Sequence, residues 1–344
     1  MNLQDEALET LLLPFVDAHL PWPDTGVLFL RARDGSALHA RPFPGLVCEQ
    51  TFKPDADALL RAGFTVSQET ERKYSLVLVL PPRQRDEARA LLARAIASLE
   101  PGGRVIACQH NNEGARSMES DLAQLAGTLT TLTKNKCRVC WTGAISEPAN
   151  ADLAAQWRLL DAPRPITDGR FVSRPGIFAW DRIDTASALL AQHLPGNLRG
   201  RAADLGAGFG YLSVELLNRC PQIRALDVYE AEARALDLAR ENLAPLAAQA
   251  DIQYRWHDVT AGIDQHYDVI VTNPPFHTGS RHDRPDIGRR FIAVAAAALR
   301  TGGSLWLVAN RHLPYESVLD ESFGKVTMVK QAGGFKIVSA VRSR

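Results

Sequence analysis

The chain has 344 residues, of which 46% are hydrophobic and 23% are charged, and its 39 basic side chains balance its 39 acidic ones. This composition excludes a disordered chain, a collagen-like chain and a polycation that binds nucleic acid over its whole surface. The length favours two domains. Because the N-terminus does not read as a signal peptide and no apolar run is long enough to span a bilayer, we expect a soluble, cytoplasmic protein.

Two stretches of the chain look alike and define two halves. Each contains an apolar strand ending in Pro-Pro, a helix, a Gly-Gly pair, a strand and a last strand that begins at a basic residue. These segments are residues 74–83, 86–99, 104–108 and 136–141 in one half and 267–276, 289–299, 304–309 and 336–341 in the other. The shared order predicts a duplication, with domains at 1–150 and 165–344 and a linker near 147–165. Chance similarity of two α/β halves is the alternative.

The strands in both halves are continuous apolar runs, which is typical of strands buried on both faces. They alternate with helices, so the pattern predicts βαβ units and a parallel sheet. Cys137 and Cys140 have the C-x-x-C spacing, but no second Cys or His pair lies near them in the sequence. Since residues three apart in a strand point to opposite faces, we expect two ordinary buried thiols there and no metal site.

The first chemical signal is the sequence DLGAGFG at residues 204–210. A strand ends in Asp204, the glycines Gly206, Gly208 and Gly210 follow, and a helix is expected from about residue 212. Glycines suit a tight turn that a ligand approaches closely. The third glycine comes one residue too early for a dinucleotide fingerprint, and the P-loop lysine is absent. The loop therefore indicates a nucleotide-type ligand without identifying it. In the first half, no glycine loop after a strand is seen before residue 74. The segment most like it is 33–36, which has one glycine and is expected to be a turn.

Two acids follow the next predicted strands. Glu230 comes after a strand at 224–228 and can accept hydrogen bonds from both hydroxyls of a ribose. Asp258 comes after a strand at 252–256 and can meet the amino group of an adenine. A solvated strand end is the alternative for each. Because ligands bind outside the carboxyl ends of the strands in open α/β sheets, we expect both acids to line one crevice with the glycine loop.

The second chemical signal is the sequence NPPFH at residues 273–277. Consecutive prolines end the strand and fix a rigid turn. That turn holds the side-chain oxygen of Asn273 and the carbonyl of Pro274 as two acceptors, which is what an exocyclic NH₂ needs. Phe276 can stack on the base that carries the amine. The first half keeps the prolines but has Leu80 and Arg83 instead of the Asn and the Phe. We therefore assign the prolines to the fold and Asn273 and Phe276 to chemistry.

Together these motifs resemble the class I S-adenosylmethionine (SAM) methyltransferases that modify exocyclic amines. Further residues narrow the resemblance to the ribosomal RNA guanine-N2 methyltransferases of the small subunit methyltransferase C type. These are PGIF at 175–178, Asp184, QHLP at 192–195, VAN at 308–310, LPY at 313–315 and GFK at 334–336. The resemblance covers 165–344 well and the first half in outline. It implies an α/β protein of two tandem Rossmann-like class I methyltransferase domains, the N-terminal one degenerate.

The resemblance also implies a reaction and a site. The cofactor is SAM, guanine N2 attacks its methyl group in line, and no metal is involved. The implied catalytic residues are Asn273, Pro274 and Phe276. The implied SAM-binding residues are Asp204, Gly206, Gly208, Gly210, Glu230, Asp258 and Asn273. The implied partner is ribosomal RNA or a ribosomal subunit, and a monomer with no membrane contact is expected.

A basic segment after the NPPF turn predicts the substrate contacts. His277, Arg281 and Arg284 lie in it, and Arg311 follows a later strand, so phosphate contacts can position RNA there. In the first half, Arg83, Arg85 and Arg116 are the expected RNA contacts. The alternatives are a methyltransferase for 23S rRNA, an enzyme acting on adenine N6 or a protein glutamine, and a non-catalytic nucleotide-binding protein.

Overall fold

The computed structural model describes residues 5–24, 26–275 and 285–343. The chain divides into two compact units. Unit 1 consists of Met1–Ala162 and Arg174–Gly176, and unit 2 consists of Pro163–Ser173 and Ile177–Arg344. Each unit is an α/β domain built on a sheet of seven strands.

Unit 1 alternates strands with helices through most of its length. Its strands are β1 (Val27–Leu30), β2 (Leu46–Glu49), β3 (Thr65–Ser67), β4 (Tyr74–Val79), β5 (Leu99–His110), β6 (Leu129–Lys134) and β7 (Cys137–Thr142). Its helices are α1 (Glu6–Leu11), α2 (Leu13–Val16), α3 (Ser36–His39), α4 (Lys53–Arg61), α5 (Arg85–Ala97), α6 (Ala115–Ala126) and α7 (Ala151–Arg158).

Unit 2 has the same alternation, preceded by a small hairpin of β8 and β9. Its strands are β8 (Arg164–Ile166), β9 (Phe171–Ser173), β10 (Arg199–Leu205), β11 (Gln222–Glu230), β12 (Asp251–Trp256), β13 (Tyr267–Thr272), β14 (Leu299–Asn310), β15 (Lys325–Ala332) and β16 (Phe335–Val341). Its helices are α8 (Thr185–His193), α9 (Tyr211–Arg219), α10 (Ala233–Leu243), α11 (Pro285–Ala298) and α12 (Glu316–Ser322).

The two large sheets have the same strand order, β3-β2-β1-β4-β5-β7-β6 in unit 1 and β12-β11-β10-β13-β14-β16-β15 in unit 2. This identity confirms the predicted α/β fold of two tandem Rossmann-like domains. The expected parallel arrangement is wrong at one edge, where β7 and β16 run antiparallel to both of their neighbours. Only two residues join each last pair of strands, whereas a parallel connection needs about a dozen.

The central strands are buried as their continuous apolar sequences predict. Five of the six residues of β4 and five of the six residues of β13 are buried. In β7, Cys137 packs into the core on one face of the sheet and Cys140 into the core on the other. Burial raises the pKa of the Cys140 thiol to about 11. The structure thus confirms that the C-x-x-C residues point to opposite faces.

The prediction of a linker near 147–165 is wrong for Ala151–Arg158, because these residues form α7. Asn150 caps this helix by accepting a hydrogen bond from the Leu153 N–H at 2.9 Å. Ala154 and Trp157 are buried in the core of unit 1, and the Arg89 guanidinium lies 4.6 Å from the centre of the Trp157 ring. The helix therefore belongs to unit 1 since its apolar face completes that core.

The turn at 33–36 connects β1 to the start of α3, two elements that were not expected from the sequence. This is the place in unit 1 that the glycine loop has in unit 2, between β10 and α9. The four residues of β1 are too short a run to be recognised from the sequence. Within the described ranges, no helix is long and apolar enough to cross a membrane.

Candidate active site

The glycine loop of unit 2 connects β10 to α9. Gly206, Gly208 and Gly210 all have left-handed backbones, with φ of +75°, +56° and +89°. A Cβ on Gly206 would lie 3.3 Å from the ring of Phe291, and one on Gly210 would lie 3.1 Å from the Cβ of Ala239. A Cβ on Gly208 would meet none of the described residues within 4 Å. The outer two glycines are therefore needed for packing against protein, whereas Gly208 leaves room for a ligand.

Asp204 lies at the base of this loop and is fully buried. Its Oδ2 accepts a hydrogen bond of 2.7 Å from the Ser213 hydroxyl. Its Oδ1 is also buried and has no hydrogen-bond partner in the part of the chain that the structure describes. Burial raises the pKa of the Asp204 carboxyl to about 7. A buried acceptor without a donor is costly, and a ligand that brings an N–H or O–H group relieves that cost.

Glu230 holds the loop from the end of β11. Its Oε2 accepts the Gly208 N–H at 2.7 Å, and its Oε1 accepts the Glu232 N–H at 2.8 Å. The carbonyl of Tyr229 accepts the Gly206 N–H at 2.9 Å. Burial raises the pKa of Glu230, while the backbone hydrogen bonds oppose that shift. Glu230 therefore shapes the loop directly, and its carboxylate keeps further accepting capacity for a ligand.

Asp258 caps a short 3₁₀-helix, Val259–Ala261. Its Oδ1 accepts the Thr260 N–H at 2.9 Å and the Thr260 hydroxyl at 2.7 Å. Both hydrogen bonds use one carboxylate oxygen, so the cap itself leaves Oδ2 free to accept another donor. This geometry orients the carboxylate at the carboxyl end of β12.

Asn273 follows the last residue of β13 and is partly buried. Its Nδ2 donates two hydrogen bonds of 2.9 Å, one to Asp184 Oδ2 and one to the Ser187 hydroxyl. Both amide protons are therefore used by unit 2 itself, which leaves Oδ1 as the group for an incoming donor. The next residue, Pro274, is buried, so the turn is packed in place.

These elements meet in a cleft of about 410 Å³, including its part open to solvent. The lining residues are Phe178, Ala179, Asp184, Ser187, Gly206, Ala207, Gly208, Phe209, Tyr211, Leu212 and Asn273. Two of the predicted cofactor glycines and the predicted catalytic Asn thus line one cleft. Asp204, Gly210 and Glu230 contact or belong to the glycine loop without lining the cleft, and Asp258 lies apart from that lining, at the carboxyl end of β12.

Several predicted substrate residues lie outside the described residues, namely Phe276, His277, Arg281 and Arg284. Arg311 is described and exposed, and its N–H donates to the Gly334 carbonyl at 2.8 Å. Among the described residues, no group of three or more His, Cys, Asp or Glu side chains is arranged to hold a metal ion.

Comparison with known proteins gives a consistent result. Residues 168–339 match the family model of the methyltransferase small domain. The ribosomal RNA small subunit methyltransferase C of Psychromonas ingrahamii is 29% identical over 81% of this chain and 79% of its own. The enzyme of that name from Erwinia tasmaniensis is 30% identical over 82% of this chain and 80% of its own.

A solved structure matches over almost the full length. It is a 16S rRNA N2 methyltransferase of T. thermophilus in complex with AdoMet and guanosine, with a TM-score of 0.82 and 25% identity. The match covers 99% of this chain and 93% of that one. The chain belongs to the ribosomal RNA small subunit methyltransferase C family. Membership makes it an SAM-dependent methyltransferase and confirms the family that the sequence motifs suggest.

Sequence reasoning gave no site role to three residues of this methyltransferase cleft. Phe178 and Asp184 belong to the family pattern, and Ser187 carries no signal of its own. Asp184 does have the local signature of a helix N-cap, because its Oδ2 accepts the Ser187 N–H at 2.8 Å at the start of α8. Its contact with Asn273 spans 89 residues of sequence and is visible only in the fold.

We expect Asp204→Asn to be more stable than wild type by an amount that grows as the pH rises. The wild-type carboxyl has a pKa of about 7 in the folded state, against 3.8 in the unfolded chain. Between these values the unfolded state loses its proton first, so the free energy of unfolding falls by about 4 kcal/mol as the pH rises from 4 to 7. The amide variant has no carboxyl to titrate, so its free energy of unfolding does not show this decrease. Thermal unfolding of both proteins at pH 5 and pH 8 measures the difference.

The difference in Tm, variant minus wild type, is expected to grow by about 5 °C or more from pH 5 to pH 8 without SAM. Saturating SAM is expected to raise the Tm of wild type and not of the variant. A difference in Tm that does not change with pH would mean that the carboxyl is not held neutral in the folded protein.

Unit 1 has counterparts of the same positions, which the strand registers identify. The pairing of β1 with β4 and of β10 with β13 places Arg31 where unit 2 has Gly206. Arg31 keeps a left-handed backbone, with φ of +54°. Its guanidinium donates to Glu87 Oε1 at 2.8 Å. The turn therefore keeps the backbone of the glycine loop but carries a long side chain tied to α5.

The counterpart of Glu230 in unit 1 is Gln50, by the registers of β1 with β2 and of β10 with β11. Gln50 Oε1 accepts the Phe52 N–H at 2.9 Å, which reproduces the bond that Glu230 accepts from the residue two positions on. Gln50 Nε2 donates to the Ala32 carbonyl at 2.7 Å. Unit 1 has thus replaced the acid by a buried amide whose donor is used internally.

The Pro-Pro turn of unit 1 also differs from that of unit 2, because a side chain already donates hydrogen bonds to its carbonyls. Gln109 Nε2 donates to the carbonyls of Pro82 at 3.0 Å and Pro81 at 3.3 Å. By the registers of β4 with β5 and of β13 with β14, Gln109 corresponds to Ala309 and Pro81 to Pro274. An internal amide therefore occupies these carbonyls in unit 1, whereas Ala309, at the corresponding place in unit 2, has no side-chain donor.

Proposed function

We propose that this chain transfers the methyl group of SAM to the exocyclic N2 of a guanine in 16S rRNA. The observation that carries the proposal is the amide of Asn273, whose two protons are held by Asp184 and Ser187 so that Oδ1 is available in the cleft. Family membership supports the reaction and the RNA, because the relatives are named for the small-subunit rRNA and the matched structure holds AdoMet and guanosine.

The residues of unit 2 fit SAM. The buried Oδ1 of Asp204 awaits a donor, and Gly208 has an open side that a Cβ would fill. Glu230 keeps lone pairs for the ribose hydroxyls, and Asp258 keeps one oxygen for the adenine amino group. When bound, SAM supplies a methyl group that is already electrophilic because it is attached to a sulfonium.

The chain's own residues prepare the attacking amine. Asn273 Oδ1 and the Pro274 carbonyl accept the two hydrogens of guanine N2, and this directs the nitrogen lone pair away from them. Phe276 stacks on the guanine and fixes its plane. As positive charge develops on N2, the two oxygens stabilise it more than they stabilise the neutral amine, which is the condition for catalysis.

We assign unit 1 to a catalytically inactive copy that guides RNA and covers apolar surface. Three features support this assignment: Arg31 at the glycine-loop position, the Gln50 amide in place of an acid, and the Gln109 amide on the Pro-Pro carbonyls. Arg83, Arg85 and Arg116 are exposed and are the proposed phosphate contacts. Arg85 Nη2 also lies 3.4 Å from Asp121 Oδ1, so the carboxylate offsets part of the positive charge that Arg85 presents to a phosphate.

The remaining assignments complete the proposal. His277, Arg281, Arg284 and Arg311 contact the RNA backbone near the acceptor guanine. The protein acts as a monomer in the cytoplasm, without a metal ion, on ribosomal RNA or an assembled subunit.

The proposal is tested by transfer of a radiolabelled methyl group from SAM to 30S subunits, 50S subunits and their naked RNAs. We expect label in the 30S subunit or in 16S rRNA, and little in 50S subunits or 23S rRNA. DNA and a glutamine-containing peptide serve as alternative acceptors. Label mainly in 23S rRNA, DNA or peptide would contradict the proposed substrate.

A further inference from the structure

The start of α8 brings a carboxylate to the proposed amine site. Asp184 is the N-cap of this helix, and its Oδ2 accepts the Ser187 N–H at 2.8 Å. The same oxygen accepts one proton of the Asn273 amide at 2.9 Å. Asp184 is half-buried and lines the cleft, while Ser187 is buried. The helix cap and the amide of Asn273 therefore share one acceptor.

This arrangement fixes which way the Asn273 amide points. If the amide were rotated by half a turn, its oxygen would face Asp184 Oδ2 and the Ser187 hydroxyl, and its two protons would point to the substrate. Placing an amide oxygen against a carboxylate is repulsive, so the negative charge of Asp184 excludes that rotamer. Ser187 alone cannot exclude it, because a hydroxyl can donate as well as accept.

The charge also acts on the amide electronically. A hydrogen bond to an ionised acceptor is stronger than one to a neutral acceptor, and bonds in a chain polarise one another. The carboxylate of Asp184 attracts the amide proton and leaves more electron density on Nδ2, and amide resonance carries part of that density to Asn273 Oδ1. That oxygen is the one that accepts a hydrogen bond from the amine as positive charge develops on N2.

We infer that Asp184 is a positioning residue for methyl transfer, which acts through Asn273 by orienting and polarising its amide. This inference rests on the proposed function of the cleft, since it takes an exocyclic amine as the group that Asn273 binds. Asp184 itself neither moves a proton nor touches the amine. Its loss therefore affects the reaction only while Asn273 is present.

The test is a double-mutant cycle in the full chain with Asp184→Asn and Asn273→Ala. Asparagine caps helices as well as aspartate, so the first variant keeps α8 and loses only the charge. We expect Asp184→Asn alone to lower kcat by about 10- to 100-fold, with SAM affinity within about twofold of wild type. In the Asn273→Ala background we expect Asp184→Asn to cause no further loss. Equal losses in both backgrounds, or a loss confined to SAM affinity, would overturn the inference.

A matched control makes the same change at another helix cap. Asp5 caps α1 in unit 1 by accepting the N–H groups of Ala7 and Leu8 at 3.1 Å. Asp5→Asn is expected to leave kcat within about twofold of wild type. An equal drop for Asp5→Asn would attribute the effect to a weakened cap instead of to Asn273.

A measurement without turnover separates this inference from the proposed function. The side-chain amide ¹H–¹⁵N resonances of Asn273 are assigned by their disappearance in Asn273→Ala. Hydrogen bonding to a carboxylate is expected to move one of these protons downfield, and Asp184→Asn is expected to move it back. An unchanged shift would overturn the inference whichever base is methylated. A clear change together with methylation of another amine would leave the inference standing and reject guanine N2.

Discussion

Replacing Asn273 by alanine is expected to lower the rate of methyl transfer by on the order of 10²–10³-fold. The reason is that Oδ1 of this residue is the preorganised acceptor for the amine, held by two hydrogen bonds from its own Nδ2. SAM binding is expected to stay close to wild type, because the Asn acts on the acceptor base. Single-turnover transfer and calorimetric titration with SAM measure the two effects separately.

A matched control for Asn273→Ala is Asn150→Ala. Asn150 caps α7 in unit 1 and is expected to affect stability by about 1 kcal/mol without slowing transfer. An Asn273→Ala variant that keeps more than about a third of the wild-type rate would contradict its role as a transition-state acceptor.

Replacing Gly208 by valine is expected to abolish detectable SAM binding. A side chain at this position would point into the cleft, where a Cβ meets no atom of the described part of the chain within 4 Å. The backbone is left-handed at φ +56°, so a β-branched residue also distorts the loop and its hydrogen bond to Glu230. Calorimetry with SAM, alongside circular dichroism for the fold, gives the result.

Gly302→Val is the matched control for Gly208→Val. Gly302 also has a left-handed backbone, at φ +81°, and a Cβ there also meets nothing within 4 Å, but the residue lies in the turn within β14 and away from the cleft. Both variants are expected to lose stability, and only Gly208→Val is expected to lose SAM. Unchanged SAM affinity in a folded Gly208→Val protein would mean that the loop is not the cofactor site.

The positions of the main motifs could be predicted from the sequence because glycines and prolines mark where the strands end. Gly206 and Gly208 follow a strand, and the prolines at 274 and 275 end another, so both had to lie at the carboxyl edge of the sheet. The duplication was visible for the same reason, since strand, helix and Gly-Gly pair recur in one order. The identical strand orders of the two sheets follow from that repeat.

What the sequence did not reveal are contacts between distant segments. Asp184 and Asn273 are 89 residues apart and meet only because α8 begins beside the end of β13. The closing of the unit 1 turn by Gln109 likewise depends on strand register. The helix α7 was missed because flanking prolines and polar residues suggested a linker, whereas burial of Trp157 in unit 1 decides its structure.

The central claim is that unit 2 methylates an exocyclic amine of guanine from one SAM site per chain. The most direct measurement is digestion of the radiolabelled RNA to nucleosides, followed by chromatography against standards. We expect the label to be recovered as N2-methylguanosine with wild type and to be lost with Asn273→Ala. Recovery of the label as N6-methyladenosine, or as any nucleoside methylated at a position other than an exocyclic guanine nitrogen, would contradict it.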